Sequence, residues 1–170
     1  MIVYLLGYMG SGKTKTGHLL SRKLGYDFID TDSLIENSEQ KSVASIFQDS
    51  GEDVFRELEQ RILREVSHKT NCIVSTGGGM PCFFDNMDLM NKTGMTVYLK
   101  LPEGMLVQRL FNDKNKRPLL MDLDEDQLRL KVKEQLQERE VYYNKAHLIF
   151  KASNMDISLL AEQIANCSIK

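Results

Sequence analysis

Short apolar runs alternate along the chain with longer segments in which apolar and polar residues are mixed at helical spacing. The runs predict five strands, at 2–6, 27–30, 72–76, 95–101 and 147–151. After the first run, Leu19, Leu20 and Leu24 share one helical face, which is typical of a helix packed on a sheet. Strands separated by helices favour a parallel sheet with right-handed crossovers. The pattern therefore predicts a three-layer α/β/α fold around a five-stranded parallel sheet.

Start and stop signals delimit the helices. We predict helices at 13–24, from 42 to about 51, at 52–66, at 85–92, from 103 onward, at 127–143 and at 157–167. Ser42 is a favoured N-cap residue, and Gly25 and Gly51 are typical of helix ends. The 15 residues from Asn112 to Asp126 are charged, contain Pro118 and lack periodicity, which predicts a mobile surface loop, either a lid or a disordered segment.

Composition narrows the class of protein. The 170 residues suit one domain with a sizeable core, and 42% hydrophobic with 27% charged residues is ordinary for globular chains. The net charge of −2 lacks the basic excess of a nucleic-acid binder. The first apolar run is too short for a membrane span, and three separated cysteines fit neither a disulfide framework nor a zinc site. We expect a cytoplasmic protein without nucleic-acid or membrane partners, and nothing demands more than a monomer.

The clearest motif is a P-loop. Residues 7–14 read GYMGSGKT, which matches G-x-x-x-x-G-K-[ST] between a predicted strand and a predicted helix. In this motif backbone N–H groups and the helix N-terminus surround phosphate oxygens, while Lys13 reaches the β- and γ-phosphates and Thr14 offers a hydroxyl to Mg²⁺. An ordinary glycine-rich turn is the alternative. The candidate ATP-binding residues here are Gly10, Ser11, Gly12, Lys13, Thr14 and Lys15.

Two carboxylates, Asp30 and Asp32, follow the second predicted strand. One of them would hold Mg²⁺ through its water shell, and the other would deprotonate a hydroxyl that attacks the γ-phosphorus. The alternative is structural, because Asp is a favoured N-cap and Asp32 precedes Ser33 at the start of a possible helix. Their position beside a P-loop strand favours the catalytic interpretation.

Three further features each have a structural interpretation, and two of them also have a functional one. Gly77–Gly79 follows the third strand and suggests close approach of a ligand, although a loose turn is the alternative. Arg56 lies in a helix, where it could pair with Gln60 or Glu52 on a solvated face. Arg117, in the predicted lid, could bring positive charge to a transferred phosphoryl group or simply be solvated.

Cys82 lies three residues after the triple glycine. It could be a small buried hydrophobe, which is how free cysteines usually behave. The alternative is a partly exposed thiol whose pKa is lowered by nearby positive charges. The sequence leaves both interpretations open.

Together these motifs resemble the shikimate kinases, a family of nucleoside-monophosphate-kinase-like P-loop enzymes. The resemblance covers nearly the whole chain in the family's order. Its motifs are G-x-x-G-x-G-K-T at 7–14, D-x-D at 30–32, G-E-x-x-F-R-x-x-E at 51–59, G-G-G at 77–79, R-P-L-L at 117–120 and R-x-x-x-Y from Arg139. It implies Mg²⁺- and ATP-dependent phosphorylation of the 3-hydroxyl of shikimate, in aromatic amino-acid biosynthesis. It also implies one kinase domain over 1–170, with a substrate-binding helical segment at about 32–60 and a lid at about 112–126.

The resemblance also implies roles for individual residues. Asp32 would bind the reacting hydroxyl and act as base, with Lys13 and Arg117 as the other catalytic residues. Arg56 and Arg139 would grip the substrate carboxylate, because a planar guanidinium matches a carboxylate bidentately. The other implied substrate-binding residues are Gly77, Gly78, Gly79, Phe47, Phe55 and Glu59, of which Gly78 would offer its N–H and Glu59 would hold Arg56. Arg109, Arg117 and Asn154 complete the candidate ATP contacts, and Thr14 and Asp30 are the candidate metal ligands.

Two other functions compete with this interpretation. A gluconate kinase of the same fold would share Lys13 and Thr14, although the two arginines and the triple glycine favour a carboxylate-bearing substrate. A catalytically inactive P-loop module that signals to a partner would be expected to have lost Asp32 or Arg117, and this chain keeps both.

Overall fold

The computed structural model describes residues 1–113, 120 and 122–167. Five strands form one sheet in the order β2-β3-β1-β4-β5, and every neighbouring pair is parallel. The strands are β1 Ile2–Leu6, β2 Asp27–Asp30, β3 Cys72–Ser75, β4 Met95–Lys100 and β5 Leu148–Lys151. All five predicted strands are confirmed, with ends that shift by no more than one residue.

Helices connect the strands. The helices are α1 Lys13–Leu24, α2 Thr31–Glu39, α3 Val43–Val66, α4 Asn86–Thr93, α5 Glu103–Asn112, α6 Glu125–Tyr143 and α7 Ile157–Cys167. A short 3-10 turn at Met80–Cys82 follows β3, and another at Ala152–Asn154 follows β5.

The helices differ from the prediction at α2, which is not among the predicted helices, and at the start of α6, and the other described ends shift by no more than one residue. The break predicted near Gly51 is confirmed, because α3 consists of two helical runs joined at Gly51, which adopts φ 83° and ψ 175°. Asp30, and not Asp32, is the N-cap of α2, because its side chain accepts from the N–H of Ser33. Helix α6 starts at Glu125, two residues early, because Asp124 and Gln127 form a capping box.

The central strand explains the three layers. Alternate residues of β1 point to opposite faces of the sheet, yet all five are buried. Val3 and Leu5 join a cluster that includes residues of α1, α5 and α7, whereas Ile2, Tyr4 and Leu6 join a cluster with residues of α2, α3 and α4. A strand covered on both faces is apolar at every position, which is the pattern expected of parallel sheets. The predicted α/β/α architecture is confirmed.

The sheet order determines where a site can form. β1 lies in the middle, between β3 and β4, and β2 lies beyond β3. The carboxyl ends of β1, β3 and β2 therefore share one rim, where the P-loop, the triple glycine and Asp30–Asp32 meet. No helix in the part of the chain that the structure describes has the length and apolar character needed to cross a membrane.

Candidate active site

The P-loop encloses the ammonium group of its own lysine. Gly10 and Gly12 have φ values of +80° and +94°, in the left-handed region that favours glycine. The loop curls so that Lys13 Nζ donates to the carbonyl oxygens of Gly7 at 2.7 Å and Tyr8 at 3.1 Å. The positive charge is thereby fixed above the N-terminus of α1, where an anion is favoured.

A cleft of about 400 Å³ opens beside this loop. It is lined by Met9, Gly10, Gly12, Lys13, Thr14, Lys15, Asp30, Asp32, Ser75, Thr76, Gly78, Arg109 and Asp113. Arg109 is held there by a hydrogen bond to the carbonyl of Gly10 at 3.2 Å. Ser11 has a buried hydroxyl with no hydrogen-bond partner among the described residues. The cleft thus brings most of the candidate ATP-binding residues together, and we refer to it as the nucleotide cleft.

Thr14 and Asp30 meet at the edge of the nucleotide cleft. The Thr14 hydroxyl donates to Asp30 Oδ2 at 3.1 Å, and Asp30 Oδ1 accepts from the N–H of Ser33 at 3.4 Å. The described residues contain no group of three or more His, Cys, Asp or Glu side chains that could hold a metal ion. A hydroxyl and a carboxylate are hard oxygen donors, which suits Mg²⁺ because that ion usually keeps several waters and binds substrate phosphates.

Asp32 lines the nucleotide cleft. It is in the first turn of α2, and its Oδ1 is buried without a hydrogen-bond partner among the described residues. Burial raises the pKa of this carboxyl to about 6, and the negative charge of Asp30 adds to the rise, while Lys13 and Arg56 oppose it. The structural interpretation of Asp32 as a helix cap is wrong, because Asp30 fills that position.

A second cavity of about 230 Å³ adjoins the first, and we refer to it as the acid pocket. Its lining consists of Met9, Asp32, Val43, Phe47, Glu52, Phe55, Arg56, Glu59, Gly78, Gly79, Leu120, Lys131, Gln135 and Arg139. Met9, Asp32 and Gly78 line both cavities, so the two meet at these three residues.

Arg56 is buried in the wall of the acid pocket. Its guanidinium pairs with Glu52 at 2.7 Å and with Glu59 at 2.5 Å, and it lies 4.2 Å from the ring centroid of Phe83. The pair with Glu52 is the one that the structural interpretation predicted, but Arg56 is only 7% exposed and does not lie on a solvated face. Phe47 and Phe55, whose ring centroids are 4.6 Å apart, form the apolar part of the same wall.

Glu59 and Asp32 face each other beneath Gly77. Burial raises the pKa of Glu59 to about 7, although Arg56 opposes the rise, and Glu59 Oε1 has no hydrogen-bond partner among the described residues. A Cβ on Gly77 would lie 2.5 Å from Glu59 Oε1 and 2.8 Å from Asp32 Oδ1, so only glycine fits there. Gly77 lines neither cavity, but its N–H donates to the hydroxyl of Thr31 at 3.0 Å and keeps the strand end in place.

Arg139 approaches the acid pocket from α6. Its guanidinium carbon lies 5.4 Å from the ring centroid of Tyr8, and a Cβ on Gly78 would be 3.5 Å from one of its nitrogens. Arg56 and Arg139 therefore bring positive charge from two different helices to one small pocket, with the glycines at its base. A carboxylate bound between them would leave the rest of an acid substrate close to Asp32.

Some predicted residues fall outside this constellation. Arg117 and the middle of the predicted lid lie outside the described residues. Asn154 is exposed at the end of β5 and lines neither cavity. Cys82 is half-buried, and burial raises its pKa to about 11, so the interpretation of a thiol with a lowered pKa is wrong.

The structure also adds residues that the sequence did not single out for the site. Met9, Lys131 and Gln135 line the acid pocket, and Phe83 stacks on Arg56. None of them belongs to a short motif. The helical spacing of Lys131, Gln135 and Arg139, four residues apart on α6, is the one sequence signal that connects two of them with a predicted site residue.

Comparisons with known proteins identify relatives of this chain. The family whose sequence model matches the chain is shikimate kinase, over residues 9–168. The shikimate kinase of Azobacteroides pseudotrichonymphae is 44% identical over 163 residues, covering 95% of this chain and 96% of its own. The crystal structure of shikimate kinase from Bacteroides thetaiotaomicron matches with a TM-score of 0.91 at 38% identity, covering 100% of this chain and 99% of the other.

A third relative is a structure in complex with a ligand. The structure of shikimate kinase from Acinetobacter baumannii in complex with shikimate has a TM-score of 0.87 and 32% identity to this chain, and covers 99% of this chain and 92% of the other. The expected P-loop kinase fold and the resemblance of the sequence motifs are both confirmed. The chain belongs to the shikimate kinase family.

Proposed function

We propose that this protein transfers the γ-phosphoryl group of ATP to the 3-hydroxyl of shikimate, forming shikimate 3-phosphate and ADP in the route to chorismate and the aromatic amino acids. The observation that carries the proposal is the junction of the two cavities. One cavity has a phosphate-binding loop, the other has two arginines suited to a carboxylate, and Asp32 lines both.

The nucleotide cleft binds the triphosphate. Backbone N–H groups of the P-loop and the ammonium of Lys13 surround the β- and γ-phosphates. Thr14 and Asp30 would hold Mg²⁺, which when bound would supply positive charge to the phosphate oxygens. Lys15, Arg109 and Asn154 are proposed as further contacts to the nucleotide.

The acid pocket binds shikimate. Arg56 and Arg139 form charge-assisted hydrogen bonds with its carboxylate, and the glycine turn donates from its backbone. Glu59 and Glu52 hold the Arg56 guanidinium, so its orientation is set before the substrate arrives. Phe47 and Phe55 contact the apolar face of the ring.

Asp32 is the base. It accepts the proton of the 3-hydroxyl, whose oxygen attacks the γ-phosphorus while the bond from that phosphorus to the ADP oxygen breaks. Its pKa of about 6 suits the role, because the carboxyl is ionised at neutral pH and still basic enough to accept a proton. Lys13 stabilises the transferring group, and Arg117, from the segment at about 112–126, is proposed to reach it when that segment closes as a lid.

The proposal also covers the oligomeric state, the location and the partners of the protein. The protein acts as a monomer in the cytoplasm on two small molecules, ATP and shikimate, and requires neither nucleic acid nor membrane. The net charge of −2 and the absence of a membrane-spanning helix among the described residues are compatible with this.

A substrate panel tests the proposal. Purified protein with ATP and Mg²⁺ is given shikimate, quinate, gluconate or a nucleoside monophosphate, and ADP release is measured in a coupled assay. We expect turnover with shikimate that exceeds turnover with each of the others. Turnover with gluconate in place of shikimate would instead support the gluconate kinase alternative, and the absence of turnover with all four would contradict the proposal.

A further inference from the structure

Tyr143 makes a hydrogen bond that the proposed reaction does not yet explain. It lies at the end of α6, is fully buried, and its hydroxyl donates to the carbonyl oxygen of Gly78 at 2.5 Å. Gly78 is one of the three residues that line both cavities. Tyr143 is 65 positions away from Gly78 in the sequence, and its hydrogen bond can fix the orientation of the Gly78 carbonyl.

The hydroxyl of Tyr143 is a dependable donor. Burial raises its pKa, so it keeps its proton at any pH at which the enzyme works, even though the charge of Arg139 lowers the pKa in part. The ring packs on Tyr98 of β4, with centroids 5.0 Å apart. Tyr98 in turn donates to Glu140, which pairs with Lys100 at 2.9 Å. These contacts anchor the end of α6 to the sheet and hold the Tyr143 ring in one place.

Fixing one carbonyl fixes a whole peptide unit. The described chain contains no cis peptide bond, so the C=O of Gly78 and the N–H of Gly79 point in opposite directions within one plane. Gly78 and Gly79 both line the acid pocket. The carbonyls of Gly77 and Gly79 accept from the N–H groups of Met80 and Cys82, and the carbonyl of Gly78 accepts from Tyr143. Tyr143 therefore sets the direction of the Gly78–Gly79 peptide at the base of the pocket.

The same helix carries one of the two arginines. Arg139 precedes Tyr143 by four residues, so the two side chains lie one turn apart on the same face of α6. A displacement of α6 relative to β3 would move Arg139 away from the glycine turn, and the hydrogen bond from Tyr143 opposes that displacement.

We infer that Tyr143 is a positioning residue for the acid pocket, which holds the Gly78–Gly79 peptide and Arg139 in the mutual arrangement that a substrate carboxylate requires. The inference rests on the proposed function and adds a residue that acts through Gly78 without touching the substrate. It predicts a selective defect, in which shikimate binding is weakened, nucleotide binding is not, and the loss of stability matches that of any other buried tyrosine hydroxyl.

Tyr143→Phe tests the inference, because it removes the hydroxyl and keeps the ring. We expect the KM for shikimate to rise by about tenfold, because a Gly78–Gly79 peptide released from its donor must be reordered when the carboxylate binds, with little change in the KM for ATP. The matched control is Tyr4→Phe, which removes another fully buried tyrosine hydroxyl, bonded to Thr93 at 2.9 Å and outside both cavities. The control should lower the melting temperature by a similar amount and leave both KM values unchanged.

A rescue experiment sharpens the result. Incorporation of p-aminophenylalanine at position 143 keeps the ring and restores an N–H donor, so it should return the KM for shikimate toward the wild-type value. An unchanged KM for shikimate in Tyr143→Phe, an equal rise in both KM values, or a protein that no longer folds would each overturn the inference, since the hydroxyl would then serve the fold alone. Wild-type turnover of shikimate in the same assay separates these outcomes from failure of the proposed function.

Discussion

The nucleotide cleft and the acid pocket share a boundary but are built in different ways. The nucleotide cleft depends on backbone geometry, because one contiguous loop encloses the ammonium of Lys13 with its own carbonyls. The acid pocket depends on buried charged side chains from separate helices, with Arg56 and Glu59 on α3, Arg139 on α6 and Asp32 on α2. A local motif therefore defines the first cavity, whereas the second exists only after the tertiary fold has formed.

Because the two cavities are built differently, substitutions in the nucleotide cleft and substitutions in the acid pocket should have separable effects. Changes in the P-loop should affect the nucleotide and the chemical step. Substitutions in the acid pocket should mainly weaken binding of the acid substrate. Asp32 lines both cavities, so its replacement should affect the reaction that joins them.

The largest expected effect is that of Lys13→Ala. We expect turnover to be abolished, because the ammonium is needed where negative charge builds up on the transferring phosphoryl group. The melting temperature should fall only modestly, since the side chain contributes no apolar core and what is lost is hydrogen bonding, including that with the carbonyls of Gly7 and Tyr8. Lys23→Ala, on an exposed turn of the same helix, is the control and should retain full activity. Normal turnover by folded Lys13→Ala protein would contradict the assignment of the nucleotide cleft.

The next largest effect is expected for Asp32→Asn. The kcat should fall by roughly 10²- to 10⁴-fold, the usual contribution of a positioned general base, while nucleotide still binds. Asp27→Asn, an exposed position on β2, is the control and should have normal kcat. If Asp32→Asn lowered the melting temperature and left kcat unchanged, Asp32 would be a structural residue.

The pH dependence of the reaction rate should reflect the ionisation of the buried carboxylates. Their pKa values, about 6 for Asp32 and about 7 for Glu59, are raised by burial, so both gain protons as the pH falls through this range. Only ionised Asp32 accepts a proton, and therefore kcat/KM for shikimate should decline below about pH 7, by up to about tenfold per pH unit at the acid end. Steady-state kinetics from about pH 5 to about pH 9 measures the decline, and a flat profile would contradict the assignment of Asp32 as base.

The smallest effect is expected at Cys82. Because burial raises its pKa to about 11, little thiolate is present at neutral pH, and alkylation by iodoacetamide should be slow. Cys82→Ser should keep kcat and both KM values within about twofold, since the side chain lines neither cavity. Rapid inactivation by alkylation that is lost in Cys82→Ser would restore the reactive-thiol interpretation.

The sequence predicted the fold and the nucleotide cleft well for a physical reason. Strand and helix periodicities are local, and the P-loop is contiguous, so its geometry follows from eight neighbouring residues. Its errors were also local, because it predicted no helix at 31–39, and its structural alternative considered Asp32 as a cap where Asp30 caps α2.

The acid pocket could be predicted only through the resemblance. Spacing places Glu52 beside Arg56, but it does not reveal that the pair is buried or that Glu59 Oε1 approaches Asp32 beneath Gly77. Contacts such as Phe83 on Arg56 and Tyr143 on Gly78 join positions far apart in sequence. These contacts arise from the packing of α3 and α6 against the end of β3, which no short motif encodes.

Calorimetric binding of each ligand alone tests the separation of the two cavities most directly. Shikimate and ADP are titrated separately into wild-type protein, Lys13→Ala and Arg56→Lys, with Arg61→Lys as a control on the exposed face of α3. We predict that Arg56→Lys weakens shikimate binding by about 10- to 100-fold and leaves ADP binding unchanged, because a lysine cannot reproduce the bidentate fork. Lys13→Ala should weaken ADP binding and leave shikimate binding unchanged. Equal losses of both ligands in either variant would contradict the account.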